Sequence, residues 1–413
     1  MIKSIITLLL VCSASVLSIA QIKALRFGAI IDRQGRQISD AVIIVDGEKI
    51  KAVGTAKQIT IPPNAQVIDL RKYTAIPGLI DAHTHITYYW DQTPDTNPWK
   101  QLGTLGPAVT VFLAQENAMK TLETGVTTIR DLGSFADMDF AMRELINRGN
   151  MKGPRMFVAG RGLSIRRTKG VEEVTKFANE QIDAGADWVK MYGSTGSAND
   201  VTGTQTYSFE EMKAAVDAAH QAGKRISIHS YGPDGARDAV RAGTNTLEHA
   251  ADLDAQTIQE MAANGIIYVP TVDHNRYYAA HKDEYGYGEE DVAGLNDFIR
   301  RNFESLKKAV AANVKIAMGS DAVFTGFGEN TRELDWFVKA GMTPVQALKS
   351  ATTVGAEMLG MEKELGALAP GYYADIVAVE GNPLEDVHVV IEKVKWVMKG
   401  GKVVVDKTST NQR

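Results

Sequence analysis

The hydrophobic pattern divides the chain into unlike stretches. Near the start, residues 24–31, 41–45 and 49–53 alternate or cluster apolar side chains over strand-like lengths. Polar residues 33–36 and the pair Asp46 and Gly47 punctuate them, and Asp-Gly is a hairpin dipeptide. The far end has the same texture. Strands are predicted at 374–379, 389–398 and 402–405, with turns at Gly381, Asn382 and Pro383 and at Gly400 and Gly401. Two β-rich ends around a different middle predict a small β-sandwich built from both ends of the chain.

The middle alternates strand and helix. Short apolar runs at 76–86, 127–132, 155–159, 188–192, 225–229, 246–250, 266–270 and 315–319 are separated by helical periodicity. The clearest helix is 208–222. Ser208 and Glu211 form a capping box, Met212, Ala215, Val216 and Ala219 make one apolar face, and Gly223 stops it. Thr343 and Pro344 open another helix as cap and first-turn proline. Eight β/α units predict an α/β fold of the (β/α)8 TIM-barrel kind. An open doubly wound sheet is the alternative, but no Gly-x-Gly-x-x-Gly follows any strand, so nucleotide binding has no support. The expected division is an export signal at 1–20, the sandwich from 21–75 with 365–413, and the barrel at 76–364.

The first twenty residues follow a different rule. Lys3 is a short positive start, residues 5–11 are apolar, and Ser18 and Ala20 are the small residues a signal peptidase prefers. The run is too short to span a membrane as a helix. It predicts a cleaved signal with Gln21 as the mature start, hence a periplasmic or secreted protein without a membrane anchor.

Composition then narrows the chemistry. Lys and Arg number 45 against 50 Asp and Glu, so no basic excess points to nucleic acid. Cys12 is the only cysteine and lies inside the predicted signal. The mature chain therefore has no disulfide framework, no thiolate metal site and no cysteine nucleophile. A metal would have to be held by histidine, carboxylate or a modified side chain.

Such ligands recur at one kind of place. The run beginning at Pro77 ends in His83 and His85, two residues apart and so on one face of a strand. His229 ends the run 225–229, His249 ends 246–249, and Asp321 follows 315–319. The C-terminal ends of strands are where barrel active sites lie. Lys190 sits inside the apolar run 188–192, where an unpaired ammonium is costly. A lysine there can take up CO2 as a carbamate, an anion with two oxygens able to bridge two metals.

These motifs resemble the amidohydrolase superfamily in its binuclear, carboxylated-lysine branch, and within it Xaa-Pro dipeptidase (prolidase)-like and ochratoxinase-like amidohydrolases. The likeness covers essentially the whole mature chain. It rests on residues 77–85 and 127–133, Lys190, the run His229, Ser230, Tyr231 and Gly232, residues 246–250 and 319–322, and the late segment 371–379. The resemblance implies that His83, His85 and Asp321 hold one divalent ion, that His229 and His249 hold a second, and that carboxylated Lys190 bridges them. Zn2+ is the default for such a site. It implies a metal-bridging hydroxide that attacks an amide of peptide or N-acyl amino acid type. Asp321 would handle the proton and Tyr231 the developing oxyanion. The partner would be a small molecule or dipeptide, and barrels of this family commonly form homo-oligomers.

The loop 162–170 is shorter and more basic than in related enzymes, which weakens prolidase-type specificity. Within it Arg166 and Arg167 are candidates for a substrate carboxylate. His274, after the seventh strand, is a candidate for the same mouth, and glycine-rich 323–330 for a mobile wall. His220, His281 and His388 have no strand-end placement and are expected at the surface. The alternatives are a lactonase, cyclic-amide hydrolase or deaminase on the same scaffold, or a non-catalytic binding protein. Deaminases with one metal lack the bridging lysine, so Lys190 argues against them.

Overall fold

The computed structural model describes residues 22–408, so the predicted signal at 1–20 lies outside the described residues. The first strands form as their alternation requires. β1 (Lys23–Ile31) pairs antiparallel with β2 (Gln37–Asp46), and β2 with β3 (Lys49–Thr55) across the Asp46 and Gly47 turn. A strand absent from the sequence reading, β4 (Gln66–Pro77), then runs parallel to β1. Its first half mixes apolar and charged residues without regular alternation and is mostly exposed, so its hydrophobic signal is weak.

At Gly78 the chain leaves this sheet for the barrel. The Gly78 amide donates to the Asp375 carbonyl at 2.8 Å. A Cβ there would lie 2.2 Å from Thr127 Oγ1 and 2.8 Å from Asp375 Cβ, so only glycine fits the seam.

The barrel strands are β5 (Leu79–Thr84), β6 (Val126–Asp131), β7 (Arg155–Val158), β8 (Trp188–Tyr192), β9 (Arg225–Ser230), β10 (Thr246–His249) and β11 (Ile267–Val269). β5, β6 and β7 form one parallel set, and β8 to β11 another. Most are buried along their whole length, as strands covered on both faces must be. Between β7 and β8, the Asp187 amide donates to the Val158 carbonyl at 2.8 Å and Leu163 bridges Met191.

The expected eighth strand, 315–319, closes the ring without a regular ladder. Ile316 bridges Tyr268 of β11, and the Met318 carbonyl accepts the Ala82 amide of β5 at 2.7 Å. Close packing explains the irregularity. A Cβ on Gly319 would lie 2.4 Å from Val269 and 3.0 Å from His83 Cβ.

The chain then returns to the first sheet through β12 (Ile376–Val379), β13 (Val394–Lys399) and β14 (Lys402–Asp406). The sheet is a single seven-stranded one, in the order β14-β13-β12-β4-β1-β2-β3, so both ends of the chain build it. One expectation fails here. The apolar run 389–398 is not one strand: His388–Glu392 is a helical turn, and β13 starts at Val394. The Asp386 side chain accepts the His388 amide at 2.9 Å and starts that turn, and a short apolar run does not itself distinguish helix from strand.

The helices between strands form where capping predicts. Phe209–Gln221 has the Ser208 and Glu211 capping box, and Pro344–Ser350 has a Thr343 cap. No helix among the described residues is long and apolar enough to cross a membrane.

Candidate metal centre

One end of the barrel gathers the ligand-type side chains. His83 lies in β5, His229 in β9 and Lys190 in β8; His249 ends β10, and His85 and Asp321 come from the turns after β5 and after 315–319. Single ligand atoms of His83, His85 and Asp321 all lie within 4.8 Å of one another. Asp321 Oδ1 is 3.5 Å from His83 Nε2 and 3.3 Å from His85 Nε2. Lys190 Nζ stands 3.5 Å from His83 Nε2. The His229 and His249 rings meet edge to face at 4.5 Å between centroids, and His249 lies 5.0 Å from His83. These residues line one cavity of about 220 Å³, together with Tyr231 and His274.

The backbone is bent to deliver them. His249 has φ 70°, Asp321 φ 51° and Thr271 φ 49°, left-handed values that cost a non-glycine residue about 1–3 kcal/mol each. Strain of this kind persists where surrounding structure over-determines it. Here the Asp321 amide is held by the His83 carbonyl at 2.7 Å, and Tyr268 and Asn302 bind the His249 carbonyl.

Three of the four imidazoles are oriented from behind. His83 Nδ1 meets Glu248 Oε2 at 2.8 Å, His85 Nδ1 meets the Gly133 carbonyl at 3.0 Å, and His249 Nδ1 meets Thr271 Oγ1 at 2.7 Å. Occupying Nδ1 leaves the Nε2 lone pair toward the cavity. Burial pushes His83 down to about 4 and His229 to about 3, with the Lys190 charge adding to both, so these rings are neutral near pH 7. Burial opposes ionisation of Asp321, yet His274, His83 and His85 hold it well below the ordinary carboxylate range. Lys190 is pulled down to about 8 by burial, against the carboxylates of Glu248 and Asp321.

This donor set fits divalent metal. Imidazoles, those of His83 and His229 held neutral by burial, and an ionised carboxylate converge on one cavity. The buried Nε2 of His229 has no hydrogen-bond partner among the described residues, which a metal would supply.

Comparison with known proteins agrees. The profile of the Amidohydrolase family matches residues 74–404. The chain belongs to the amidohydrolase family. This amidohydrolase is 28% identical to an ochratoxinase of Aspergillus niger over 93% of its own length and 87% of that protein's. The crystal structure of a Xaa-Pro dipeptidase with bound methionine superposes with a TM-score of 0.83 at 28% identity, covering 93% of this chain and 99% of that one. A prolidase complexed with N-methylphosphonate-L-proline gives 0.84 at 30% identity, covering 94% and 100%. The protein is thus a metal-dependent amidohydrolase.

All six expected ligands of the amidohydrolase line the cavity, and Tyr231 and His274 join them. Tyr231 stacks on His229 at 5.1 Å, and burial pushes its phenol up, so it remains a proton donor. His274 Nε2 lies 3.1 Å from Asp321 Oδ2. Arg166 and Arg167 are exposed and outside the cavity lining. His220 and His388 are exposed; His281 is half-buried, bonding the Tyr277 carbonyl at 3.0 Å rather than lying free at the surface.

Sequence reasoning missed the layer beneath. Arg130 and Glu248 pair at 2.9 Å with no solvent exposure, and Arg130 also donates to the Ala82 carbonyl at 2.6 Å. Asp81 accepts from the Ser320 amide at 2.9 Å and from Asn330 Nδ2 at 2.9 Å, anchoring the turn that bears Asp321. The available signal was opposite charges inside strands expected to be buried on both faces.

Proposed function

We propose that this amidohydrolase cleaves an amide bond of peptide or N-acyl amino acid type at a binuclear centre. His83, His85 and Asp321 would hold one divalent ion, His229 and His249 the second, and a carbamate on Lys190 would join them. Zn2+ suits the imidazole and oxygen donors. The observation that carries this reading is Lys190. It is a buried amine 3.5 Å from a histidine Nε2 and is less basic than usual, as addition to CO2 with loss of a proton requires. The relatives named ochratoxinase, Xaa-Pro dipeptidase and prolidase support the amide class.

Bound there, two cations would polarise a carbonyl and lower the pKa of water. The remaining work belongs to the protein. Asp321, ionised and at the centre of the cluster, accepts the proton of the attacking water and returns one to the departing nitrogen. Tyr231, protonated beside His229, donates to the carbonyl oxygen as charge develops on it. Residues 1–20 support an exported enzyme on their pattern alone.

Purified protein reconstituted with Zn2+ and bicarbonate tests this. Two metal equivalents per chain and hydrolysis of N-acyl amino acids or Xaa-Pro dipeptides are expected. One equivalent in the wild type, or turnover confined to lactones, overturns the reading.

A further inference from the structure

His249 is held in place from outside the barrel. Its φ of 70° is one that a non-glycine residue keeps only under constraint. Part of that constraint is Asn302, which comes from the helix Glu289–Ala311 and is 1% exposed. Phe298, Asn302 and Ser305 fall on one buried face of that helix. Phe298 stacks on Tyr231 at 4.3 Å, and Ser305 Oγ accepts the Leu253 amide at 3.0 Å. Between them in the sequence, Asn302 Nδ2 donates to the His249 carbonyl and, at 3.2 Å, to the Pro270 carbonyl.

These two carbonyls govern one ring. The first belongs to the backbone that bears the His249 imidazole. The second belongs to the residue before Thr271, whose Oγ1 meets His249 Nδ1 at 2.7 Å. One amide thus fixes both where the ring is attached and where its orienting partner sits. Thr271 is itself left-handed at φ 49°, so neither end of this contact lies where an unrestrained chain would put it. Tyr268 cannot do both jobs, since its single hydroxyl proton is already divided between the Ala250 carbonyl at 2.6 Å and the His249 carbonyl at 2.9 Å. Asn302 Oδ1 is buried with no hydrogen-bond partner among the described residues. Reversing the amide would turn that oxygen onto two carbonyl oxygens, so the acceptors fix its orientation. A side chain kept only to fill the space would be apolar and would bury no orphan oxygen.

We propose that Asn302 is the positioning residue of the His229 and His249 ion site, acting through His249. This rests on the two-ion reading above and adds to it a residue outside the cavity lining. Without the amide, His249 and Thr271 relax toward ordinary backbone values and the ring turns from the cavity. The other site does not depend on Asn302. His83 is oriented by Glu248, His85 by the Gly133 carbonyl, and the Asp321 amide is held by the His83 carbonyl. Loss of Asn302 therefore weakens one ion selectively, whereas a general loosening of the fold weakens both.

The test is chelator competition for Zn2+, with bicarbonate present throughout, on the wild type, Asn302→Leu, His249→Ala and the double variant. Asn302→Leu should lower the affinity for the second ion about 10- to 100-fold and leave the first unchanged. In the His249→Ala background the same substitution should have no further effect, because its route to the metal is gone. If Asn302→Leu does not fold, Asn302→Ser, which keeps one donor, is measured in its place. Equal weakening of both ions, an additive loss in the double variant, or an unchanged affinity makes Asn302 a structural residue and overturns the assignment. A wild type that takes one ion overturns the two-ion reading instead. The double-variant comparison, made on that one ion, then decides whether Asn302 acts through His249: a non-additive loss sustains it and any other result overturns it.

Discussion

His83 Nδ1 lies 2.8 Å from Glu248 Oε2, and neither side chain is more than 1% exposed. The contact sets the tautomer of a metal-ligand histidine from inside the barrel. Glu248 in turn is held by Arg130 at 2.9 Å and by Ser227 at 2.8 Å, so the imidazole is oriented by a buried ion pair. Glu248→Gln keeps the shape and removes the charge. Metal affinity, measured by chelator competition, should fall about 10- to 100-fold. The Arg130 charge would also be left uncompensated, destabilising the fold by about 3–5 kcal/mol. Unchanged affinity in a folded variant removes Glu248 from the positioning role.

Glu333 ties the fold to pH. Its two carboxylate oxygens accept the amides of Val272 and Asp273, each at 2.8 Å, at the start of the helix Val272–Ala280 that bears His274. Burial pushes its carboxyl from 4.5 up to about 8, in spite of those two bonds. Between those values the folded chain binds more protons at this site than the unfolded chain. The stability this contributes is present below pH 4.5 and is lost as pH rises through about 8. One group changes stability by at most about 1.4 kcal/mol per pH unit. Across pH 5–8 the thermal midpoint of the wild type should therefore fall relative to Glu333→Gln. A constant difference between the two proteins contradicts the assignment.

Gly78 joins the terminal sheet to the barrel at a point with no space for a side chain. In Gly78→Ala the new methyl would meet Thr127 Oγ1 at 2.2 Å and Asp375 Cβ at 2.8 Å. Overpacking of this kind costs about 1–3 kcal/mol. Because β5 begins one residue later and carries His83, the variant should also bind metal more weakly. A thermal midpoint equal to wild type would show that the seam can open without cost.

Much of this was legible in the sequence because the barrel writes its strands as short apolar runs. A polar ligand at the end of such a run, as at His83, His229 and His249, is conspicuous for that reason. β4 was not legible, since its first half faces solvent and mixes apolar with charged residues without regular alternation. The run 389–398 was misread because alternate burial along a strand and close apolar spacing in a short helix look alike over five residues. Glu248 lay next to a recognised ligand and was still missed. Its partner Arg130 is 118 positions away, and only the closed ring brings the two charges together. Trp99 and Tyr278, which line the same cavity, were illegible as a pair for the same reason, since they come from helical segments after different strands.

Asp321 and Tyr231 separate two contributions that a single activity measurement would merge. Asp321 Oδ1 faces His83 and His85 while Oδ2 faces His274, so the carboxylate touches both the ligand cluster and a histidine outside it. Asp321→Asn retains an oxygen donor but loses the basic site. Turnover should fall by about 10²–10⁴ with most of the metal retained. Tyr231→Phe keeps the ring stacked between His229 and Phe298, at 5.1 Å and 4.3 Å, and deletes only the donor. Its kcat should fall about 10²–10³ with KM little changed, since an oxyanion donor acts on charge that develops only in the transition state. The pH profiles distinguish the two roles. Loss of Asp321 should abolish the acidic limb of kcat, whereas loss of the Tyr231 hydroxyl should lower the whole profile without altering its shape. An intact acidic limb in Asp321→Asn would assign the proton transfer to another group.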